Sequence, residues 1–221
     1  MDNKKFNVGE DPLDLPPERV LRYLEYGGSS PSKPILKRLN ELIPEARRLI
    51  QPKTLSRICR AEEAKLTEDV LPAPILGAEF LAFGLCTAGA SIDEETKRLR
   101  RQGKLLDSMI LDALGSAAVS ELGEQLGQRA FGWASERNLN ASRAFVPGSG
   151  ATHWPLKHQR LIFANLQANQ IEVQLTQHLL MQPRKTVSFV MGIGSRLEQA
   201  PSPFSCRGCA RPDCAYRYEP D

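Results

Sequence analysis

Three of the five cysteines in this chain stand together in its last stretch, "FSCRGCARPDCAYRYEPD", at Cys206, Cys209 and Cys214. The spacing is CxxCxxxxC. The tight turn of a CxxC pair aims both sulfurs inward, and Cys214 can then complete three of the four tetrahedral positions around zinc. Three thiolates can equally hold three irons of a cubane iron–sulfur cluster and leave the fourth position to an outside ligand. His153, His158, Cys59 or Cys86 can supply that ligand through the fold. Two other readings stand beside metal ligation: reversible thiol–disulfide chemistry, and no chemistry. Under each of them Arg207, Arg211 and Arg217 lower the thiol pKa values.

Two further segments carry residues able to act on a ligand. In "SRAFVPGSGATHWPLKHQRLIF" the run Pro147, Gly148, Ser149, Gly150 makes a backbone able to turn sharply and present N–H groups without Cβ obstruction. Arg143 is placed to reach an anion beside that turn, and an ordinary surface loop is the bland alternative. The segment "LTQHLLMQPRKTVSFVMGIG" reads as a strand, a turn around Pro183 and a returning strand. Met181 and Met191 are expected in the core, and His178 as a hydrogen-bonded structural histidine.

The elements that must position these residues follow from periodicity. Residues 1–16 read as a flexible N-terminal arm, polar and punctuated by proline. "PPERVLRYLEYGG" starts a helix with Pro17 in its first turn and ends it at a glycine pair. A second helix, Lys33 to Ile50, gathers Ile35, Leu36, Leu39, Leu42, Ile43 and Ala46 on one stripe. Around "LSRICRAEEAKLTEDVLPAP" the pattern does not choose between strand and helix. "FLAFGLCTAG" is a buried strand leading into a turn, with Cys86 a small core residue. From Lys104 to about Arg137 runs the central helix, or a kinked pair. Ile110, Leu114, Ala118, Leu122, Leu126 and Ala130 recur every four residues there. Gly115, Gly123 and Gly127 thin its other faces and let a backbone or ligand approach. Then come a loop, a short helix at "LKHQRLIFANL", and strands at "QIEVQLTQ" and "KTVSFVMGIG". The linker "SRLEQAPSPFS" leads into the cysteine tail.

Composition narrows the function classes. At 221 residues with 41% hydrophobic residues the chain can bury a sizeable core. A net charge of +3 with intermixed signs gives no phosphate-binding footprint, so no nucleic-acid partner is expected. The densest basic run, Lys97 to Lys104, follows Asp93, Glu94 and Glu95 and reads as a solvated helix face. No stretch of about eighteen uncharged apolar residues exists to span a membrane, and the first residues lack a signal-peptide core. The expected location is cytoplasmic, where clustered thiols favour metal or redox roles over structural disulfides.

Taken in order, "LRYLEYGG", "LLDSMILDALGSAAVSELGEQL", "VPGSGATHWPLKHQRLIF", "VQLTQHLLMQPRKTVSFVMGIG" and "CRGCARPDCAYR" resemble the activation domain of cobalamin-dependent methionine synthase. They are most similar to its small stand-alone homologues with a C-terminal cysteine motif. The resemblance covers about residues 17–218. It implies an α/β fold of α+β type, a central twisted antiparallel sheet flanked by helices. Residues 17–198 would form that domain and 199–221 the cysteine-rich tail.

The function implied is that of an accessory protein of corrinoid-dependent methyl transfer, supporting reductive reactivation of a cobalamin held by a corrinoid-binding protein or corrinoid methyltransferase. S-adenosylmethionine would be bound through Arg143, Pro147 and Gly148, with Ser149 where the family has tyrosine. The "LT…MxPxxSVS" signature is met by Leu175, Thr176, Met181, Pro183, Val187 and Ser188, while Phe189 and Met191 replace the glycine and tyrosine that follow it. Two aromatic contacts to a nucleoside are therefore missing. The DxHxxG loop that binds a corrinoid is absent, so cobalamin is expected on a partner. The alternatives are a non-catalytic binding module with a structural zinc in its tail, or a diverged methyltransferase that binds S-adenosylmethionine.

Overall fold

The computed structural model describes residues 13–26, 31–65, 71–150, 152–206, 214, 216 and 217. Its centre is a four-stranded antiparallel sheet made of β1 (Lys53–Arg60), β2 (Phe80–Thr87), β3 (Asn140–Ala141) and β6 (Thr186–Gly194), in the order β1-β2-β6-β3. The helices are α1 (Pro17–Tyr23), α2 (Lys33–Leu49), α3 (Ser91–Arg101), α4 (Leu105–Ser135) and α5 (Gln159–Asn165). This is the α+β arrangement expected, helices flanking an antiparallel sheet.

β2 and β6 are buried on both faces, which is why their sequences read as near-continuous apolar runs. They pair from Phe80 opposite Ile193 to Thr87 opposite Thr186. One face of the sheet packs Ile58, Ala82, Cys86, Phe189, Met191 and Ile193 against α4, with α1 and α2 outside. The other packs Leu55, Leu81, Phe83, Leu85 and Val190 against Trp154, Ile162 and Ile171.

α4 is one continuous helix rather than a kinked pair. Its four-residue stripe, Ile110 to Ala130, is at most 3% exposed. The three glycines on its other faces each meet an identifiable neighbour. Gly115 lies under the stem of Lys185, whose ammonium reaches Asp112 at 2.9 Å and the Ser116 hydroxyl at 2.8 Å. A Cβ at Gly123 would lie 3.5 Å from the Phe204 ring, and one at Gly127 would lie 2.7 Å from Pro203 Cγ. What approaches at Gly123 and Gly127 is not backbone but the side chains of Pro203 and Phe204, in the linker to the cysteine tail.

Several local expectations change. The undecided segment begins as the strand β1 and continues in a 3₁₀ turn, Ala61–Glu63, with residues 66–70 outside the described residues. The basic run forms the exposed side of α3 and the turn after it, as expected. "QIEVQLTQ" is not a strand: residues Ala168–Ile171 form a 3₁₀ turn, and Glu172 has φ +58°, a left-handed conformation that extended backbone does not contain. Only β4 (Gln174–Leu175) remains, paired with β5 (Met181–Gln182) in a separate two-stranded ribbon. The reversal falls between them, closed where the Leu180 N–H donates to the Thr176 hydroxyl, and not at Pro183. His178 is exposed, 3.1 Å from the Gln177 amide. Leu15, assigned to the arm from sequence, is 2% exposed in the α4-side core; residues 1–12 lie outside the described residues.

Candidate functional site

Beyond the two-residue β3, the chain stays pinned to β6. The Ser142 N–H donates to the Gly192 carbonyl, the Gly192 N–H donates to the Ser142 hydroxyl, and Phe145 exchanges both backbone hydrogen bonds with Val190. On the outer side of this stretch runs the linker. The Ala200 N–H donates to the Ala141 carbonyl at 3.0 Å, and the Ala144 N–H to the Pro203 carbonyl at 2.7 Å. Arg143 is thus held between β6 and the linker, on backbone fixed from both sides.

It lines a cleft of about 720 Å³ whose wall also includes Phe145, Thr152, Trp154, Glu198 and Ser205. Arg143 Nε is buried and has no hydrogen-bond partner among the described residues. A buried guanidinium N–H left without an acceptor costs more than a neutral donor would, because it carries charge. The arrangement therefore calls for an acceptor beyond the described residues, a carboxylate or another anion.

The turn after Val146 brings the aromatic wall into place. Gly148 has φ +80°, its N–H donates to the Trp154 carbonyl at 2.7 Å, and a Cβ there would lie 2.9 Å from Leu156 Cδ1. Only glycine closes this turn without displacing Leu156. Pro147 is buried, and the Ser149 N–H donates to the Val146 carbonyl at 3.1 Å. Of the four residues expected to bind cofactor, Arg143 lines the cleft, while Pro147, Gly148 and Ser149 form the reversal that folds Thr152, His153 and Trp154 back onto it. Trp154 stacks on His158, ring centroids 5.3 Å apart and planes 10° from parallel. Burial first, and then the charge of Lys157, hold the His158 imidazole below its usual pKa.

Phe145, Thr152, Trp154, Glu198 and Ser205 are cleft residues that sequence reasoning missed. "THWP" contained the only tryptophan near the Gly-rich turn, and that was the available signal. Phe189 and Met191, the replacements noted in the signature, are 1% and 0% exposed on the sheet face toward α4. They pack the core on that face.

The three tail cysteines are placed in part. Cys206 follows Ser205 and is half-buried; Cys214 is half-buried, its carbonyl accepting the Arg217 N–H at 2.9 Å; Cys209 lies outside the described residues. The Tyr216 ring packs on Tyr23 of α1, centroids 5.6 Å apart. Among the described residues no group of three His, Cys, Asp or Glu side chains is positioned to hold a metal. Of the residues considered for a fourth ligand, Cys59 and Cys86 sit in the two cores, and burial pushes the Cys86 thiol up to about 12. His153 lines the cleft. No helix among the described residues is long and apolar enough to cross a membrane.

This combination, an antiparallel sheet capped by one long helix with a cleft beside the sheet edge, defines an α+β fold with solved counterparts. No protein-family model and no curated protein matches the sequence. Among solved structures the chain is similar to one described as the MetH reactivation domain bound to AdoHcy. The TM-score is 0.62 at 12% identity, covering 93% of this chain and 82% of that one. The likeness is one of fold.

Proposed function

We propose that this chain is an accessory protein of corrinoid-dependent methyl transfer that binds an S-adenosyl ligand in the Arg143 cleft and supports reductive reactivation of a cobalamin held by a partner protein. The observation that carries the reading is the orphaned, buried Arg143 Nε–H in a cleft of about 720 Å³. The fold neighbour was solved with AdoHcy. The amino-acid end of an S-adenosyl ligand has a carboxylate for Arg143 and an ammonium for Glu198. Trp154 and Phe145 offer the apolar wall that a nucleoside needs, in place of the aromatic residues absent from the signature.

The residues of the chain bind and orient; the methyl group and its sulfonium belong to the ligand. A cleft that holds the ligand by one end and keeps water from its apolar part is suited to presenting it to a second protein. The cysteine tail would serve as a ligand set for zinc or an iron–sulfur cluster. The half-buried cysteines Cys206 and Cys214 have the donor chemistry for either. A cluster would supply one-electron chemistry when bound, and zinc would supply only structure. Protein purified without oxygen that is brown, and loses its colour in Cys206→Ala, supports the cluster; colourless protein with one zinc per chain supports the structural tail.

Calorimetric titration with S-adenosylmethionine and AdoHcy tests the binding claim. Saturable heat that is lost in Arg143→Met is the expected outcome. Absence of heat at millimolar ligand, with the variant and the parent alike, contradicts it.

A further inference from the structure

Most of α4 is enclosed, but its first turn is not. Leu105, Leu106 and Met109 are 59%, 45% and 57% exposed, whereas Ile110, Leu111 and Leu114 just beyond are fully buried. The three exposed side chains lie within one turn, at i, i+1 and i+4. Around them the last turns of α3 and the connection to α4 expose Lys97, Arg100, Arg101 and Lys104. Two neighbouring acids are already engaged: Glu95 by Arg98, and Asp107 by the two-pronged Arg38 guanidinium at 2.7 Å for each bond. The result is a cluster of large apolar side chains with a cationic border.

We propose that this α3–α4 corner is a docking face for a second protein, one that presents an apolar surface rimmed by Asp and Glu. Leu and Met side chains that lose their water on association are natural anchors, and the surrounding cations steer an acidic partner and set its orientation. A lipid surface is a poorer occupant. A helix that lies in a membrane interface offers an apolar face along its length, and α4 offers one turn, the rest being packed in the core. Nucleic acid fits less well, since phosphate recognition has no use for three exposed large hydrophobes at the centre of the patch. With 31 residues at about 1.5 Å each, α4 separates this corner from the end that leads to β3 and Arg143 by roughly 45 Å. A partner seated here leaves the cleft open, and the proposal stands or falls independently of what the cleft binds.

The test uses a fluorescent synthetic helix of about twenty residues, with leucines along one face and glutamates elsewhere, titrated with the full chain and read by anisotropy. Saturable binding is expected, weakening as salt rises and weakening about tenfold or more in Leu105→Ser/Met109→Ser and in Arg101→Glu/Lys104→Glu. Leu180→Ser, at an equally exposed apolar residue in the β4–β5 turn, leaves it unchanged. All five substituted residues are on the surface, and circular dichroism confirms that the variants fold. The proposal is overturned by the absence of saturable binding, by equal binding in parent and corner variants, or by a parent that ignores the acidic helix yet binds phosphatidylglycerol vesicles through the same residues.

Discussion

The Phe189 ring occupies the space that a side chain on Gly84 would need. The two residues face each other across the β2–β6 pair, and an ideal Cβ at Gly84 would fall 2.9 Å from Phe189 Cε2, with two further ring atoms closer still. Phe189 also meets Phe204 edge-on at 5.3 Å, so one ring ties the middle of the sheet to the linker that carries the tail. The aromatic residue at this point of the signature is accommodated by a glycine on the neighbouring strand.

Gly84→Ala is therefore expected to destabilise the chain by about 1–3 kcal/mol, the usual cost of overpacking a full core. Phe189→Leu, which shortens the opposing side chain, recovers part of that loss in the double variant. Chemical denaturation of the four members of the cycle measures the coupling; strictly additive effects would mean that the two residues do not compete for one space.

Gly127→Ala tests how the linker is held. Pro203 is buried against this glycine and cannot yield by rotating a flexible side chain. The linker must lift, which loosens the hydrogen bond from the Ala144 N–H and the cleft wall at Ser205. A loss of about 1–3 kcal/mol in stability, together with faster amide exchange at Ala144, is the expected result.

Thiol reactivity separates the cysteines by location. Burial raises the pKa of both Cys59 and Cys86, the latter to about 12, so neither forms thiolate readily near neutral pH. In native, metal-free protein an alkylating reagent is expected to label the tail and spare Cys59 and Cys86. Labelling of the two core residues appears only after unfolding, and mass spectrometry of the digested protein reads out both states.

The His158–Trp154 stack predicts a pH dependence of known sign. The folded protein holds the imidazole pKa below the ordinary value of 6.5, chiefly through burial, so folding favours the neutral ring. The contribution to stability is complete above that value and is lost as pH falls through it toward the folded pKa. The melting temperature of the parent should fall between about pH 7.5 and about pH 5 more steeply than that of His158→Gln. Equal slopes would show that His158 does not titrate with folding.

Much of the fold was legible because it rests on strong periodicities. The four-residue stripe of α4 and the apolar runs of β2 and β6 state their own burial. "QIEVQLTQ" misled because Ile171, Val173 and Leu175 alternate as a strand would, while the left-handed Glu172 between them breaks the extended backbone. Of the cleft, Arg143 was visible as a cation beside a Gly-rich turn. Trp154 was not, because it arrives only through the reversal at Gly148, a distance in space that spacing along the chain does not report. The linker side of the cleft was hidden for the same reason. Glu198 and Ser205 line it because the linker is pinned at Ala141 through the Ala200 N–H and seats Pro203 on Gly127.

The proposed site requires Arg143 Nε–H to meet a ligand carboxylate. A ¹⁵N–¹H correlation spectrum of arginine side chains, with the Arg143 signal assigned by its loss in Arg143→Lys, follows that single group during titration with AdoHcy. A saturable downfield shift of this resonance and slower exchange of its proton with water are expected, the signature of a new charge-assisted hydrogen bond. A resonance that stays in place through millimolar ligand would contradict it.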